Sequence, residues 1–176
     1  MIDFFSNIPQ IESVFRLFLA AALGALVGIE REIVGKSAGI RTFSFVSLGA
    51  CLFTIVSLFG VNHLAPLGDV ATDPQFRYNY DPTRIVSQIV VGIGFLGAGL
   101  IVFRGYRVEG LTTSAGLWVV AAIGTAVGFG MYTIGIVTTA IVVLNFFFLK
   151  RLEPDRWARN GGSTADYLDH VDRDRA

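Results

Sequence analysis

Side chains that bind metals or form disulfides are scarce in this chain of 176 residues. Its one cysteine, Cys51, cannot form an internal disulfide or a cysteine-based metal site. Its two histidines, His63 and His170, lie far apart in the sequence, which argues against a histidine-rich metal cluster and against a Ser/His/Asp or Cys/His catalytic set. We therefore expect no catalytic residues, no enzymatic activity and no metal site.

Charge is also sparse. Charged residues make up 16% of the chain, against about 25% in ordinary soluble proteins. The 14 basic and 14 acidic residues cancel, which excludes a polycationic nucleic-acid binder, so no nucleic-acid partner is expected. The 53% of hydrophobic residues exclude a disordered chain and are unlike a soluble domain.

Charged residues are absent from several long segments of the chain. Residues 42–68, 85–103 and 110–149 contain no Asp, Glu, Lys or Arg, and 17–29 is a shorter segment of the same kind. A helix needs roughly 20 residues to cross a hydrocarbon core of about 30 Å. The first two segments therefore each predict one crossing, whereas 110–149 is about twice too long and must fold back.

Gly128-Phe129-Gly130 is the natural turn within the longest segment. A buried soluble bundle is the competing interpretation, but its helices would show a polar stripe that is absent here. The sequence thus predicts an all-α integral membrane protein, a compact bundle of five transmembrane helices at about residues 10–29, 42–62, 84–103, 112–128 and 131–149.

Basic residues near the helix ends predict the orientation. The first helix is not expected to be a cleaved signal peptide, because residues 1–8 contain no Lys or Arg. Nine basic residues lie in the 30–41 and 104–110 loops and the start of the tail, against two, Arg77 and Arg84, on the other side. This places the N-terminus outside and the C-terminus in the cytoplasm. Residues 1–150 form the transmembrane domain and residues 151–176 a polar cytoplasmic tail.

Glycines recur within the crossings. Residues 92–97 match the dinucleotide fingerprint G-x-G-x-x-G, but they lie inside an apolar crossing that lacks the strand and acid which that motif requires. Small residues instead let neighbouring helices approach closely in lipid. The predicted helix-packing positions are Gly24, Gly28, Gly92, Gly94, Gly97, Gly99, Gly124 and Gly128.

Polar residues gather near the predicted outer face. Asp81 precedes a helix start and is expected to cap it, or else to face a polar cavity with Gln88. Glu12 and Arg16 are four residues apart and can pair, with Arg16 either reaching the headgroups or facing the bundle. The predicted outer-side polar cluster contains Glu12, Arg16, Asp81, Arg84 and Gln88.

A second polar set lies near the predicted cytoplasmic face. Helices two and four both begin with glycine, a branched apolar residue and polar residues ending in threonine, which predicts a parallel repeat of helices one and two in three and four. Two helix N-termini would then offer free amides to an anion or a carboxylate network, with simple capping as the alternative. The predicted cytoplasmic polar cluster contains Glu30, Arg31, Glu32, Arg41, Thr42, Thr112 and Thr113.

The segments GALVGIERE (24–32), AGIRTFSFVSLGA (38–50), DPTRIVSQIVVGIGFLGAG (81–99) and VEGLTTSAGLWVVAAIG (108–124) resemble the MgtC/SapB family. The resemblance covers about residues 12–149 and implies a bacterial inner-membrane protein linked to adaptation to low magnesium and, in pathogens, to survival inside host cells. Relative to longer members, this chain is expected to be a short form without the C-terminal cytoplasmic domain.

Two functions are compatible with these features. The first is a non-catalytic modulator that responds to low magnesium or acid stress, with the bilayer, itself as a homo-oligomer or a larger membrane complex as partners. The second is an ion carrier, magnesium-linked, or a small-solute carrier that acts as an oligomer, since internal repeats are common among transporters. No cofactor is expected, although Asp69, Asp73 and Asp81 offer oxygens to magnesium.

Overall fold

The computed structural model describes residues 2–64, 81, 83–104 and 107–152. Within these residues the chain is mostly helical and contains five α-helices and one short antiparallel hairpin. In chain order the elements are α1 (Ile2–Ile33), α2 (Ile40–Leu64), α3 (Thr83–Leu100), β1 (Val102–Arg104), β2 (Arg107–Glu109), α4 (Leu111–Gly128) and α5 (Tyr132–Leu152).

Four of the described helices are long and apolar enough to cross a membrane: Ile11–Ile33, Ile40–Phe59, Thr83–Leu100 and Leu111–Gly128. The apolar part of α5 is shorter and runs from Tyr132 to Phe148. These lengths and compositions are those of an integral membrane protein. The side of the membrane that each helix end faces, and the parallel repeat, stay predictions.

The end of the third predicted helix is wrong. Helix α3 ends at Leu100, and Val102 and Phe103 belong to β1, which pairs with β2. The charge-free segment continues to Phe103, so the absence of charge alone did not mark this boundary. Branched and aromatic residues favour a strand once glycines weaken the helix before them.

The core lies where α1, α2 and α4 meet. Helix α1 packs most extensively on α2, and α2 in turn packs on α4. A Cβ atom built at Gly24 would lie 2.6 Å from the Phe43 carbonyl oxygen, and one at Gly28 would lie 2.7 Å from the Ile40 Cα atom. The helices approach this closely because these positions carry no side chain.

The contacts also give the relative direction of the helices. Along α1, Gly24 faces Phe43 and Gly28 faces Ile40, so α1 and α2 are antiparallel. Gly124 faces Ser47 and Gly128 faces Thr54, so α4 runs in the same direction as α2.

Gly110, just before α4, lies against Leu100 at the end of α3, and Gly97 of α3 faces Ser114 of α4, so these two helices are antiparallel. One end of the bundle therefore carries residues 30–41, 101–104 and 107–110, and we call it the loop end. The opposite end carries residues 12–16, 81, 83–84 and 128–132, and we call it the turn end.

The chain divides into two compact units, Met1–Leu144 and Asn145–Ala176. The bundle described above belongs to the first unit. Of the second unit, the structure describes the last turns of α5, up to Leu152. The predicted tail at 151–176 lies outside the described residues except for its first two positions.

Candidate functional site

A buried ion pair lies near the loop end, in the last turns of α1. The Glu30 and Arg31 residues are only 3% and 5% exposed. The Arg31 Nε atom donates a hydrogen bond to Glu30 Oε2, and the Nη2 atom forms an ion pair with the same oxygen. Consecutive residues on a helix do not face each other, so the two side chains must converge to make this contact. The pair keeps a carboxylate and a guanidinium neutralised in the apolar interior.

Glu32, the next carboxylate, makes a different contact. Its Oε2 atom accepts a hydrogen bond of 2.8 Å from the amide of Ile40, the first residue of α2. Gly39 leaves room for this contact, because a Cβ atom there would lie 3.1 Å from Glu32 Cβ. Glu32 therefore caps the N-terminus of α2 across the connecting loop and complements the positive end of that helix.

The remaining members of the predicted cytoplasmic cluster lie at the same end of the bundle but differ in exposure. Arg41, Thr42 and Thr112 are exposed, whereas Thr113 is buried at the start of α4. The structure thus brings Glu30 together with Arg31, and Glu32 together with Ile40. Arg41, Thr42 and Thr112 lie at the surface.

At the turn end, Arg16 connects α1 to the turn between α4 and α5. Its Nη1 atom donates to the Gly128 carbonyl oxygen at 2.7 Å, and its Nε atom donates to the Tyr132 hydroxyl at 3.1 Å. The Arg16 side chain is 12% exposed. Of the two orientations that the sequence left open, the structure has the one in which Arg16 faces the bundle.

Glu12 completes this arrangement, which we call the turn-end network: Glu12, Arg16, Gly128 and Tyr132. The Glu12 Oε1 atom accepts from Arg16 Nη2 at 2.5 Å and from the Tyr132 hydroxyl at 2.8 Å. The Phe15 ring meets the Tyr132 ring edge-on, with centroids 5.9 Å apart. The network therefore satisfies a carbonyl at the end of α4 and a guanidinium within an apolar helix.

Asp81 makes separate contacts at the start of α3. Its Oδ1 atom accepts hydrogen bonds from the Thr83 amide at 2.9 Å and the Thr83 hydroxyl at 2.7 Å. These two bonds, the hydroxyl first, lower the pKa of the exposed Asp81 carboxyl, and the nearby Arg84 charge acts in the same direction. Asp81 is thus a helix cap. Arg84 and Gln88, which the sequence grouped with it, are exposed on α3.

The predicted packing glycines fall into two groups. Five of them lie against a neighbouring helix: Gly24, Gly28, Gly97, Gly124 and Gly128. At Gly92, Gly94 and Gly99 a Cβ atom would meet no described residue within 4 Å. These three therefore meet no neighbouring helix among the described residues, and their role in helix packing stays a prediction.

An apolar groove of about 570 Å³ runs between α2 and α3. It is lined by side chains and backbone that include Phe45, Gly49, Phe53, Gln88, Gly92 and Leu96. Gln88 is the polar side chain among these six. The groove opens at the surface that a lipid bilayer or another membrane helix would cover.

The described residues contain no group of three or more His, Cys, Asp or Glu side chains that could hold a metal ion. Asp69 and Asp73, which the sequence offered to magnesium together with Asp81, lie outside the described residues.

Sequence reasoning did not identify Tyr132 or the Gly128 carbonyl as partners of Arg16. They lie 116 and 112 positions away along the chain, and their proximity depends on how α1 packs against the α4–α5 turn. The available indication was a tyrosine two residues after the glycine-rich turn 128–130. Tyrosine combines an apolar ring with a hydroxyl and therefore suits the boundary of a membrane.

Comparisons with known proteins agree with this membrane architecture. The model of the MgtC family matches residues 17–154. The chain is 42% identical over 133 residues to "Putative magnesium transporter YhiD" of Escherichia coli K12, an alignment that covers 76% of this chain and 58% of that protein. It is 36% identical over 153 residues to "Protein SrpB" of Synechococcus elongatus, covering 82% and 79% of the two chains.

"Protein MgtC" of Salmonella typhimurium is 38% identical over 137 residues, which cover 78% of this chain and 52% of that protein. The chain therefore spans little more than half the length of several curated relatives. No solved structure matches the chain. The extent of the family match and the identity to these relatives show that the chain belongs to the MgtC family.

Proposed function

We propose that this protein is a non-catalytic modulator in the inner membrane of a bacterium, and that it acts in adaptation to low magnesium or acid stress. It acts by docking α3 against membrane helices of a second copy or of a larger complex. Family membership and the magnesium-related name of one relative support the physiological setting.

The observation that carries the proposal is the exposure of α3. Only 11% of the α3 span is buried, compared with 50% of the α4 span. Its surface carries Phe95 and Val91, which are 81% and 67% exposed, beside the open glycines 92, 94 and 99. Glycines on an exposed transmembrane face permit close approach of another helix, which large side chains would prevent.

The arrangement of charges supports a modulator over a carrier. The buried pair, Glu30 and Arg31, lies towards the loop end and is neutralised internally. The centre of the bundle is occupied by apolar and small side chains such as Ala20, Val120 and Ile123. Ion pathways usually place carboxylates or unwound backbone at mid-membrane.

Cysteine crosslinking in native membranes tests the docking surface. With Cys51→Ser as background, Val91→Cys on α3 is expected to give crosslinked species. The control Phe18→Cys on α1, at a position that is 74% exposed against 67% for Val91, is expected to give monomers. Twice the monomer mass identifies a second copy, and any other mass identifies a larger complex. Recovery of monomers alone from Val91→Cys contradicts the proposal.

A second candidate function is a magnesium-linked ion carrier. It is favoured by the buried Glu30 carboxylate within a membrane span and by the name of the 42% identical relative, "Putative magnesium transporter YhiD". Purified protein in liposomes separates the two functions. We expect no magnesium flux, with or without a membrane potential. Flux that Glu30→Gln or Asp81→Asn alters at unchanged stability would support the carrier instead.

A further inference from the structure

An amide side chain without a partner lies in the groove between α2 and α3. Gln88 lines this groove and is exposed, and it makes no hydrogen bond with any residue that the structure describes. It lies five residues after Thr83, the start of the α3 span, which is about 8 Å into that span at about 1.5 Å per residue. Acyl chains offer neither a donor nor an acceptor, so an amide at this depth is stabilised by another polar group.

The surface around Gln88 is open to a close approach. Gly49 of α2 and Gly92 of α3 line the two walls of the groove, and a Cβ atom built at either would meet no described residue within 4 Å. Gly99 has equally open surroundings. Gln88, Gly92 and Gly99 are four and seven residues apart, a spacing that places them on one side of α3. A helix that docks on this side can therefore come close to the α3 backbone.

Insertion into a membrane restricts how two copies of the chain can meet on this surface. Both copies have the same orientation across the bilayer, so identical residues lie at the same depth, and a two-fold contact brings a residue to its own counterpart. An amide suits such a contact, because it carries both a donor and an acceptor. Two Gln88 amides can donate to each other, which satisfies both without any further polar group.

We infer that the Gln88 side of α3 binds a second copy of this chain, with the two α3 helices parallel and a reciprocal pair of hydrogen bonds between the Gln88 amides. The inference rests on the proposed docking of α3 and names its partner. A different membrane protein would have to present its own polar group at the depth of Gln88, whereas a second copy does so by symmetry. Phe95, 81% exposed, lies on the same side, and its ring leans back to the level of Gly92, where the second copy leaves room for it.

Disulfide trapping in native membranes tests which side of α3 meets the second copy. In the Cys51→Ser background, Gly92→Cys and its matched control Gly94→Cys both replace a glycine with open surroundings, but residues two apart face different sides of a helix. A disulfide requires the two Cα atoms to lie within about 7 Å of each other. On mild oxidation, Gly92→Cys is expected to give a product of twice the monomer mass, and Gly94→Cys is expected to stay monomeric.

The outcomes of this experiment separate the inference from the proposed function. Equal dimer yields at the two positions would overturn the inference, because random encounters would then explain the product. A monomeric Gly92→Cys would overturn it as well. If Val91→Cys still gave crosslinks of another mass, α3 would dock on a different protein, and the proposed function would stand without this partner.

A second measurement isolates the contribution of the amide. The Cys51→Ser/Phe18→Cys chain is labelled on the exposed face of α1 with a donor or an acceptor dye. Energy transfer between the two is followed as the purified protein is diluted with lipid in liposomes. Gln88→Leu removes both reciprocal hydrogen bonds and should weaken self-association about ten-fold.

Ser87→Ala is the control for the amide, since the Ser87 hydroxyl donates to the Arg84 carbonyl oxygen at 2.7 Å within its own helix. It removes a neighbouring exposed polar group and should leave self-association unchanged. Unchanged self-association in Gln88→Leu would overturn the inference, because the amide would then be satisfied by water at the headgroups. An equal loss in Ser87→Ala would overturn it too, because the effect would not belong to the amide.

Discussion

Arg16 Nη1 donates a hydrogen bond of 2.7 Å to the carbonyl oxygen of Gly128, and this bond joins the first half of α1 to the last residue of α4. Carbonyls at the end of a helix have no partner within that helix. In a membrane, leaving such a carbonyl unpaired costs free energy, because lipid offers no donor. Arg16 thus satisfies the α4 terminus at the turn that reverses the chain into α5.

Replacing Arg16 should therefore destabilise the bundle. Arg16→Met removes the donors to Gly128, Glu12 and Tyr132, and we expect the free energy of unfolding to fall by about 2–4 kcal/mol, since several partly buried polar groups lose a partner. Denaturant titration in detergent micelles measures this. The exposed Arg84→Met on α3 is the control and should change stability by less than about 0.5 kcal/mol. Equal effects of the two substitutions would refute the role of Arg16.

Glycine substitutions should separate the two groups of glycines. Gly124→Ala places a methyl group against the Ser47 backbone of α2 and should destabilise by about 1–3 kcal/mol through overpacking. Gly94→Ala meets open space and should be neutral or stabilising by up to about 1 kcal/mol, because alanine favours the helix. Thermal unfolding of both variants in the same detergent provides the comparison. A Gly94→Ala variant as destabilised as Gly124→Ala would contradict the open position of Gly94 within the bundle.

The buried pair at the loop end should show strong coupling. Either Glu30→Gln or Arg31→Gln alone removes one side of the buried ion pair and is expected to cost about 3–5 kcal/mol, because the charge that the pair neutralised stays buried. The double variant removes both charges and should be less destabilised than the sum of the single variants. A double-mutant cycle on unfolding free energies measures the coupling, and additive effects would mean that the two charges are independently solvated.

The Asp81 cap should depend on pH. Because hydrogen bonds to Thr83 lower the folded pKa of Asp81 below its unfolded value, the ionised cap contributes stability above the unfolded pKa of about 4. This contribution is lost as the pH falls through the folded pKa. The difference in melting temperature between the native chain and Asp81→Ala should be constant from pH 5 to pH 8 and shrink below about pH 4.

Asp81→Asn provides the comparison for this prediction. Asparagine is also a good helix cap but does not titrate. Its melting temperature relative to Asp81→Ala should therefore stay constant over the acidic range. A native chain that behaves like Asp81→Asn down to pH 3 would show that ionisation of Asp81 contributes nothing to stability.

Features that depend on local sequence were predictable here. The apolar spans follow from the length of the charge-free segments, and the Asp81 cap follows from residues two positions apart. The pairing of Arg16 with Glu12 follows from their four-residue spacing. The contacts of Arg16 with Gly128 and Tyr132 were not predictable, since they depend on the rotation of α1 against the α4–α5 turn. Which glycines of α3 face α4 depends on the rotation of α3 about its own axis, and amino-acid composition does not determine this rotation.

The hairpin was missed for a different reason. The apolar stretch that ends at Phe103 is compatible with a helix or with a strand, and periodicity does not distinguish them over so few residues. Pairing with residues 107–109 decided the outcome. Such pairing is a contact between two segments. Its one indication in the sequence was the short stretch Arg-Gly-Tyr-Arg at 104–107, in which polar residues surround a glycine.

The thin packing of α3 has a consequence for biogenesis. Helix α1 packs more extensively on α2 than on α4, so α1 and α2 can associate as soon as both have left the ribosome. Helix α3 packs more extensively on α4 than on α2, and Ser114, which meets Gly97, is synthesised later. In a nascent chain halted before residue 111, α3 would therefore lie in the lipid without α4. Its insertion would depend chiefly on its own hydrophobicity until α4 has been synthesised.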